Sequence, residues 1–597
     1  MRKRIIFTVI LFLLVTQTGC AHFSIWETAK GGSDLAVANE EENMNYANFK
    51  LLHSIGTETS HSLEGAREAI AAGAELSRLA GSDRISYSEQ TGREQSDLYT
   101  PVRIAMRVRA EEIAKELVRN GADVNLEEAD GRTCLMYLVS WPAFGWGNPS
   151  DMEWLELLEE AGVDVNYVNA QGKTAMDYAA MAGSMGDWRT MGTEVMEWMV
   201  SHGAEVDGEM VAEALLAENV NYYQVEYLME ECRKRGIEWE VPAECETHFK
   251  AAFEDVKSLK QKGYDPNQMN HEKDTLLMAA ACTGNIEVMK YLLHKGANMD
   301  YMNRSTSKSA LCRAAEYGRY EAVELLLESG AEYLHSEEEG ITALDGMEMC
   351  MAAAGGHTDV MELLFSYGYR LNEHSLNGAL QCACNGGSTK AVDLLVEEAE
   401  KQGLKADFYS GSELNSAAGR HDLEMVKHLL ENYHLDIGYL GMRWAVERND
   451  VEMVELLLSY GAELNPDAAQ LGDNMGYLGC AASAAGLEMV QLLVEAGAEV
   501  DGTYWNGVTP AMDAAYVSVR ILTYLTEQGA DINARSGYND TPLMYAVWGK
   551  NRECVEFLLS EGADASVVSE GQTAYEMAIE RDDQESIKIF KKYGKDK

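Results

Sequence analysis

Apolar and polar positions alternate along this chain in one pattern that returns many times. At 541–566, "TPLMYAVWGKNRECVEFLLSEGADAS" contains a short apolar run, a polar break and a second run with Val555, Leu558 and Leu559 on one helical face. Near-copies stand at 100–125 and 275–300. The pattern therefore predicts pairs of short helices, repeated along the chain.

Each predicted pair carries start and stop signals at matching places. Thr541 is a good N-cap, Pro542 suits the first helical position, and Gly562 supplies a left-handed C-cap. Gly497, Gly529 and Gly562 recur at intervals of 32 and 33 residues. One such pair has too little apolar surface to fold alone, so stacked pairs that form a solenoid are expected.

Three segments carry a specific family resemblance: "GVTPAMDAA" (507–515), "GADVN" (121–125) and "GADIN" (529–533). They resemble the ankyrin repeat, and the resemblance covers roughly residues 61–594. It implies an all-α solenoid of about fifteen helix–turn–helix units with β-hairpin loops. The family usually has His where this chain has Met136, Met278 and Met544. The Thr–His hydrogen bond that supports the turn is therefore expected to be absent.

The chain can be divided into segments by how regular its repeats are. We expect a signal peptide at 1–19, a tether and N-terminal helix at 20–60, and repeats with insertions at 61–207. Poorly matched repeats with a bend are expected at 208–262, and regular repeats with a closing cap at 263–597.

The N-terminus has the features of an export signal. "MRKR" precedes an apolar run at 5–15, which is short for a membrane span. "TQTGC" then resembles a bacterial lipobox and implies lipidation of Cys20, although Gln17 replaces the usual Leu. Cleavage after Ala21, which would release a secreted protein, and an uncleaved anchor are the alternatives.

Charge restricts the class of partner. The formal net charge of −49 disfavours nucleic acid, whose phosphates need clustered Lys and Arg. It also disfavours binding to an anionic membrane, so membrane attachment is expected only through the lipid. A partner with a basic surface would be attracted. The favoured alternative is that the carboxylates only keep a long surface soluble.

Catalytic signatures are absent from the sequence. There is no GxSxG, HExxH or GxxxxGK motif, and no enzyme activity, cofactor or metal is expected. Ten cysteines follow Cys20, and several stand among small apolar residues, so buried free thiols are favoured over disulfides. Cys232 and Cys245 form the pair most worth checking.

The ankyrin resemblance implies binding through the hairpin tips and first helices. Aromatic residues at those positions and in the insertions at 140–151 and 182–193 are the candidate partner-binding residues: Tyr137, Trp146, Tyr178, Trp188, Trp505, Tyr538, Tyr545 and Trp548. Arg313 occupies a similar first-helix position. For each Tyr, packing between repeats is an equally weighted alternative.

The sequence thus predicts a non-catalytic scaffold of the bacterial cell envelope, lipid-anchored at Cys20, that binds another protein. The alternatives are a secreted effector, and an enzyme or carbohydrate-binding protein that uses the two aromatic insertions.

Overall fold

The computed structural model describes most of the chain after residue 62. The described residues are 63–71, 76, 80–81, 98–107, 111–128, 130–140, 150–182, 191–217, 220–260, 264–303, 306–331, 346–406, 408, 412–435, 437, 439–465, 476–484 and 486–596. The chain divides into two units, one of Met1–Asp123 with Met442–Lys597, the other of Val124–Gly441.

Helices dominate both units, so the predicted all-α fold is confirmed. Before residue 124 the elements are α1 (Leu63–Ala71), β1 (Ala80–Gly81), β2 (Leu98–Tyr99), α2 (Pro101–Arg107) and α3 (Glu111–Arg119). The strands β1 and β2 pair antiparallel, Ala80 with Tyr99 and Gly81 with Leu98.

From residue 124 to α22, the helices follow one another in pairs. They are α4 (Cys134–Ser140), α5 (Ser150–Glu160), α6 (Ala175–Ala182), α7 (Met191–Ser201), α8 (Glu209–Leu216), α9 (Tyr222–Arg235), α10 (Glu246–Phe253), α11 (Val256–Lys260), α12 (Leu276–Thr283), α13 (Ile286–His294), α14 (Ala310–Glu316), α15 (Tyr320–Glu328), α16 (Met347–Ala354), α17 (Thr358–Ser366), α18 (Glu373–Asn385), α19 (Thr389–Lys401), α20 (Ser412–Gly419), α21 (Leu423–Tyr433) and α22 (Tyr439–Glu447).

The C-terminal pairs continue the same order. They are α23 (Val451–Ser459), α24 (Tyr477–Ala484), α25 (Leu487–Glu495), α26 (Pro510–Val517), α27 (Val519–Glu527), α28 (Pro542–Trp548), α29 (Arg552–Ser560), α30 (Ala574–Glu580) and α31 (Gln584–Lys592), with a 3₁₀ turn at Trp505–Gly507. None of the helices in the described ranges is long and apolar enough to cross a membrane.

First helices pack on first helices, which explains their small residues. In the unit that contains them, α10, α12, α14, α16 and α18 contact one another in that order. In α12 every residue from Leu276 to Cys282 is buried, because neighbours cover both of its sides. The second helices, which carry acids on their outer face, show an apolar stripe instead: in α13 only Val288, Met289 and Leu292 are buried.

In the turn before several first helices, Met stands where the family has His. At Thr275 the hydroxyl accepts the Met278 N–H at 3.3 Å, and the Met278 sulfur accepts the Thr275 N–H at 3.4 Å. The hydroxyl oxygens of Thr509 and Thr541 are buried without a hydrogen-bond partner. The methionines therefore replace the missing contact at one turn and leave it unmade at others.

Asparagine side chains connect successive hairpin loops. Asn125 donates to the Gly162 carbonyl at 3.0 Å and accepts from the Asp164 N–H at 2.7 Å. Asn166 makes the same two contacts with Gly203 and Glu205, both at 2.9 Å. Each bridge satisfies two backbone groups at the C-terminal end of the next second helix, and so fixes the spacing of neighbouring loops.

The predicted irregular region, 208–262, differs from a regular repeat in helix length and in its contacts. Helix α9 has 14 residues, whereas α11 has five. Tyr223 donates its hydroxyl to the carbonyl of Tyr317 at 2.8 Å, and Arg319 pairs with Glu226 at 3.2 Å. The chain therefore contacts itself over more than 90 residues here. The bend itself stays a prediction.

Candidate functional site

Aromatic residues gather on the first helices and hairpin tips near the C-terminal end. Tyr545 and Trp548, both half-buried on α28, have ring centroids 4.9 Å apart at an interplanar angle of 54°. Tyr504 and Tyr538 lie in the loops before α26 and α28. We call these four residues, with Asp513 of α26, the C-terminal aromatic surface.

Tyr538 is the most exposed of these side chains, at 51%. Its backbone is nevertheless held on both sides, because its N–H donates to Ser536 Oγ at 3.3 Å and its carbonyl accepts from Ser569 Oγ at 2.9 Å. Asn539, at a φ of 71°, donates its amide to the Val568 carbonyl at 2.7 Å. The loop thus presents an exposed aromatic ring on an ordered backbone, which lowers the entropy lost on binding.

Tyr504 and Asp513 form a hydrogen-bonded pair. The Tyr504 hydroxyl donates to Asp513 Oδ2. Burial raises the pKa of the Asp513 carboxyl to about 8, although the bond from Tyr504 opposes that rise. Gly479 makes room for the ring, since a Cβ there would stand 2.7 Å from Tyr504 Cε1.

Tyr545 interacts electrostatically with the Asp513 carboxyl. Burial and then the charge of Asp513 raise the pKa of the Tyr545 hydroxyl. The charge of Tyr545 in turn contributes to the raised pKa of Tyr504, after burial and Asp513. The hydroxyls of Tyr504 and Tyr545 and the carboxyl of Asp513 therefore share one environment on consecutive repeats. This environment favours the uncharged form of each group.

Comparison with known proteins decides the family. The family model "Ankyrin repeats (3 copies)" matches residues 102–210, 247–336, 349–439, 442–536 and 512–597. The chain belongs to the ankyrin-repeat family. Ankyrin repeats bind other proteins, so the solenoid is a protein-interaction scaffold.

Named relatives share the repeats over part of their length. Ankyrin repeat and KH domain-containing protein mask-1 of Caenorhabditis elegans is 29% identical over 333 residues, 52% of this chain and 12% of the relative. Ankyrin repeat protein nuc-2 of Neurospora crassa is 28% identical over 305 residues, 48% of this chain and 28% of the relative. Palmitoyltransferase ZDHHC17 of Homo sapiens is 25% identical over 214 residues, 30% of this chain and 33% of the relative. The chain thus spans a third or less of each of these relatives.

Two of the predicted ankyrin first-helix residues lie inside the protein. Tyr137 and Tyr178 are each 6% exposed. The Tyr178 hydroxyl donates to Gln171 at 3.2 Å, and the Arg132 guanidinium stands over its ring at 5.1 Å. Their burial favours the packing alternative, because little of either ring is left for a partner.

Arg313 also requires correction. It stands at a first-helix position that the ankyrin resemblance implies for binding, but it is 2% exposed and pairs with Asp274 at 2.7 Å. Lys308 and Arg313 both contact Glu316, and their charges lower the pKa of that carboxyl against the opposing effect of burial. Arg313 therefore belongs to a buried ion-pair network.

Several predicted residues lie outside the described part of the chain. They are Cys20, Trp146 and Trp188, together with the side chain of Trp505. The proposed lipidation and the patch of the two insertions stay predictions.

Each of the ten cysteines after Cys20 is a free thiol in the structure, and eight of them are buried as the sequence predicts. Cys232 and Cys245 donate to different carbonyls, those of Asp207 at 3.5 Å and Leu215 at 3.3 Å. Burial raises the pKa of the Cys245 thiol to about 11. In the described ranges no group of three or more His, Cys, Asp and Glu side chains is arranged to hold a metal ion.

Sequence reasoning missed Asp513 as a member of the surface. Its signal was its position: Asp513 follows "TPAM" as Tyr545 follows "TPLM", so both occupy the same place on successive first helices. Repeat alignment therefore locates such residues, but their burial and partners come from the folded stack.

Proposed function

We propose that this ankyrin solenoid is a non-catalytic scaffold that binds another protein through the C-terminal aromatic surface. The observation that carries the proposal is Tyr538, a half-exposed aromatic ring on a loop whose backbone is hydrogen-bonded on both sides. Exposed Tyr and Trp side chains on ordered backbones are frequent anchors of protein interfaces.

Charge favours a partner with a basic surface. The net charge of −49 draws cationic proteins at long range and raises their association rate at low salt. Lys or Arg side chains of such a partner would pack on the faces of Tyr538 and Trp548. The contact would be strongest where water is excluded beside Tyr545.

We further propose that the scaffold belongs to the bacterial cell envelope, where lipid on Cys20 anchors it to a membrane. "TQTGC" after the apolar run at 5–15 supports this placement. A secreted effector is the alternative. An enzymatic or carbohydrate-binding role of the insertions at 140–151 and 182–193 is the alternative activity, and Trp146 and Trp188 are the residues that would serve it.

The test compares quantitative capture of proteins by wild type and by two single variants. Tyr538→Ala and Trp548→Ala should both reduce capture of one and the same basic protein, each by tenfold or more. Tyr460→Ala is the matched control, because Tyr460 is 37% exposed but stands at the end of second helix α23. Unchanged capture by both aromatic variants would contradict the proposal. Loss only in Trp146→Ala with Trp188→Ala would assign binding to the insertions.

A further inference from the structure

Cys350 and Cys382 differ from the other cysteines in exposure. Eight of the ten described thiols are buried, whereas these two are half-buried. They lie on α16 and α18, the first helices of consecutive repeats, 32 residues apart in the chain. Both residues of this pair are therefore partly exposed.

Glycines lie on the side of α18 that faces α16 beside these thiols. Gly378, Cys382 and Gly386 follow one another at intervals of four residues and so lie along one side of α18 and its C-cap. A Cβ on Gly378 would stand 3.4 Å from Cys350 Sγ, and one on Gly386 would stand 2.1 Å from the Ala354 carbonyl oxygen. Glycine at both ends thus permits close contact of the backbones, with Cys382 between them.

The thiols themselves are in contact. Cys350 and Cys382 share a side-chain hydrogen bond, and this bond, followed by burial, raises the pKa of Cys350 well above its usual range. The two thiols of neighbouring repeats are therefore near enough to react with one another.

We propose that Cys350 and Cys382 are a redox modification site, which forms a reversible disulfide between consecutive repeats by exchange with a low-molecular-weight disulfide. The thiolate of one of the two cysteines attacks one sulfur of the reagent, forms a mixed disulfide and releases one thiolate. The other cysteine then attacks the Sγ of the first and releases the second thiolate. The protein loses two electrons and two thiol protons, and the reagent gains both as two free thiols.

The disulfide would fix α16 against α18. It closes a loop of about 32 residues, which restricts the unfolded chain and should raise the unfolding temperature by several degrees. Separation of these two repeats would then require reduction. The oxidation state of Cys350 and Cys382 would therefore control the stability of the repeats that contain α16 and α18.

The test treats the reduced, folded full-length protein with oxidised glutathione and maps tryptic peptides. Cleavage at Arg319, Arg370 and Lys390 separates residues 320–370, which carry Cys350, from 371–390, which carry Cys382 and Cys384. Cys384→Ala leaves Cys382 as the one thiol of the second peptide, so the linkage is unambiguous. The expected product is the cross-linked peptide pair, formed at least tenfold faster than any other disulfide, with a higher unfolding temperature that dithiothreitol reverses.

Single variants supply the controls. Cys350→Ser and Cys382→Ser should each stop at a glutathione adduct on the cysteine that remains. Circular dichroism confirms that each variant is folded. A glutathione adduct that persists on either cysteine in the wild type would overturn the proposal. Absence of the cross-link in the folded protein, when both thiols react readily in urea, would also overturn the proposal.

Discussion

The hydroxyl oxygen of Tyr317 accepts a hydrogen bond from the backbone N–H of Tyr222 at 3.2 Å, across 95 residues of sequence. Tyr222 opens α9, and its N–H is one of the groups that a helix cannot satisfy internally. The Tyr223 ring packs on the Tyr317 ring with centroids 4.6 Å apart. This contact joins the irregular repeats at 208–262 to the regular ones that follow.

Tyr317→Phe tests that relationship, because it removes the acceptor and keeps the ring. The buried Tyr222 N–H would lose its partner, at a cost of about 1–3 kcal/mol. We expect faster hydrogen exchange at the start of α9 and a lower urea midpoint. Tyr367→Phe, at a hydroxyl on a 40% exposed side chain, is the control and should change neither. Equal exchange rates in both variants would show that the bond contributes nothing.

Asp274 and Arg313 form an ion pair whose side chains are 2% and 3% exposed. Asp274→Asn leaves the Arg313 charge poorly compensated, and we expect a loss of about 3–5 kcal/mol. The double variant with Arg313→Met should recover most of the lost stability. The amide oxygen of the introduced Asn can still accept the hydrogen bond from Asn303.

The control for this buried ion pair is an exposed ion pair. Lys588→Met breaks the contact with Glu585, whose side chains are 68% and 54% exposed, and should change stability by less than about 1 kcal/mol. Urea unfolding measures all four proteins. If the double variant is no more stable than Asp274→Asn, the predicted coupling is wrong.

Asp513 predicts a pH dependence of stability. Its carboxyl holds its proton to about pH 8 in the folded state, whereas the unfolded chain releases it near pH 3.9. The stabilising contribution is therefore complete below about pH 4 and is lost as the pH rises towards 8. Asp513→Asn stays neutral and should match the wild type near pH 4.

At pH 8.5 Asp513→Asn should be more stable than the wild type, by up to about 5 kcal/mol. Thermal or urea unfolding across the pH range gives the comparison. Glu570→Gln, at an exposed side chain, is the control and should leave the pH profile unchanged. Parallel profiles for wild type and Asp513→Asn would refute a buried neutral carboxyl.

The last helix pair should act as a cap. Phe590 of α31 is fully buried, Tyr575 contacts its ring with centroids 5.6 Å apart, and Lys592 pairs with Glu556 at 2.5 Å. Deletion of 573–597 exposes the apolar sides of α28 and α29, so we expect fraying or aggregation from that end. Hydrogen exchange should rise first in 541–560. A rise confined to other repeats would count against an end cap.

Cys20→Ala tests the predicted lipoprotein. We expect the variant to move from the membrane to the soluble fraction, or to stay unprocessed, because the acceptor of the lipid is removed. Fractionation and the mass of the N-terminal peptide measure both outcomes. Identical fractionation of variant and wild type would show that Cys20 does not anchor the chain.

The sequence by itself determined the repeating unit, its helix pairs and its loop connections. The reason is that these depend on local periods: apolar residues three and four apart, a Thr before each first helix, and Asn and Gly at fixed offsets, as at Asn125 and Gly162. It also indicated free thiols, because cysteines stood among small core residues.

The tertiary structure decided which side chains of that unit reach the surface. Tyr137, Tyr178 and Tyr545 occupy the same place in their repeats, yet the first two are buried and the third is half-buried. The neighbouring repeat sets this difference: Arg132 covers Tyr178, whereas Tyr545 lies beside Trp548 and Asp513. A repeat pattern does not specify how its neighbours fill the space around one position, so exposure, ion pairing and the Tyr222–Tyr317 contact follow only from the assembled stack.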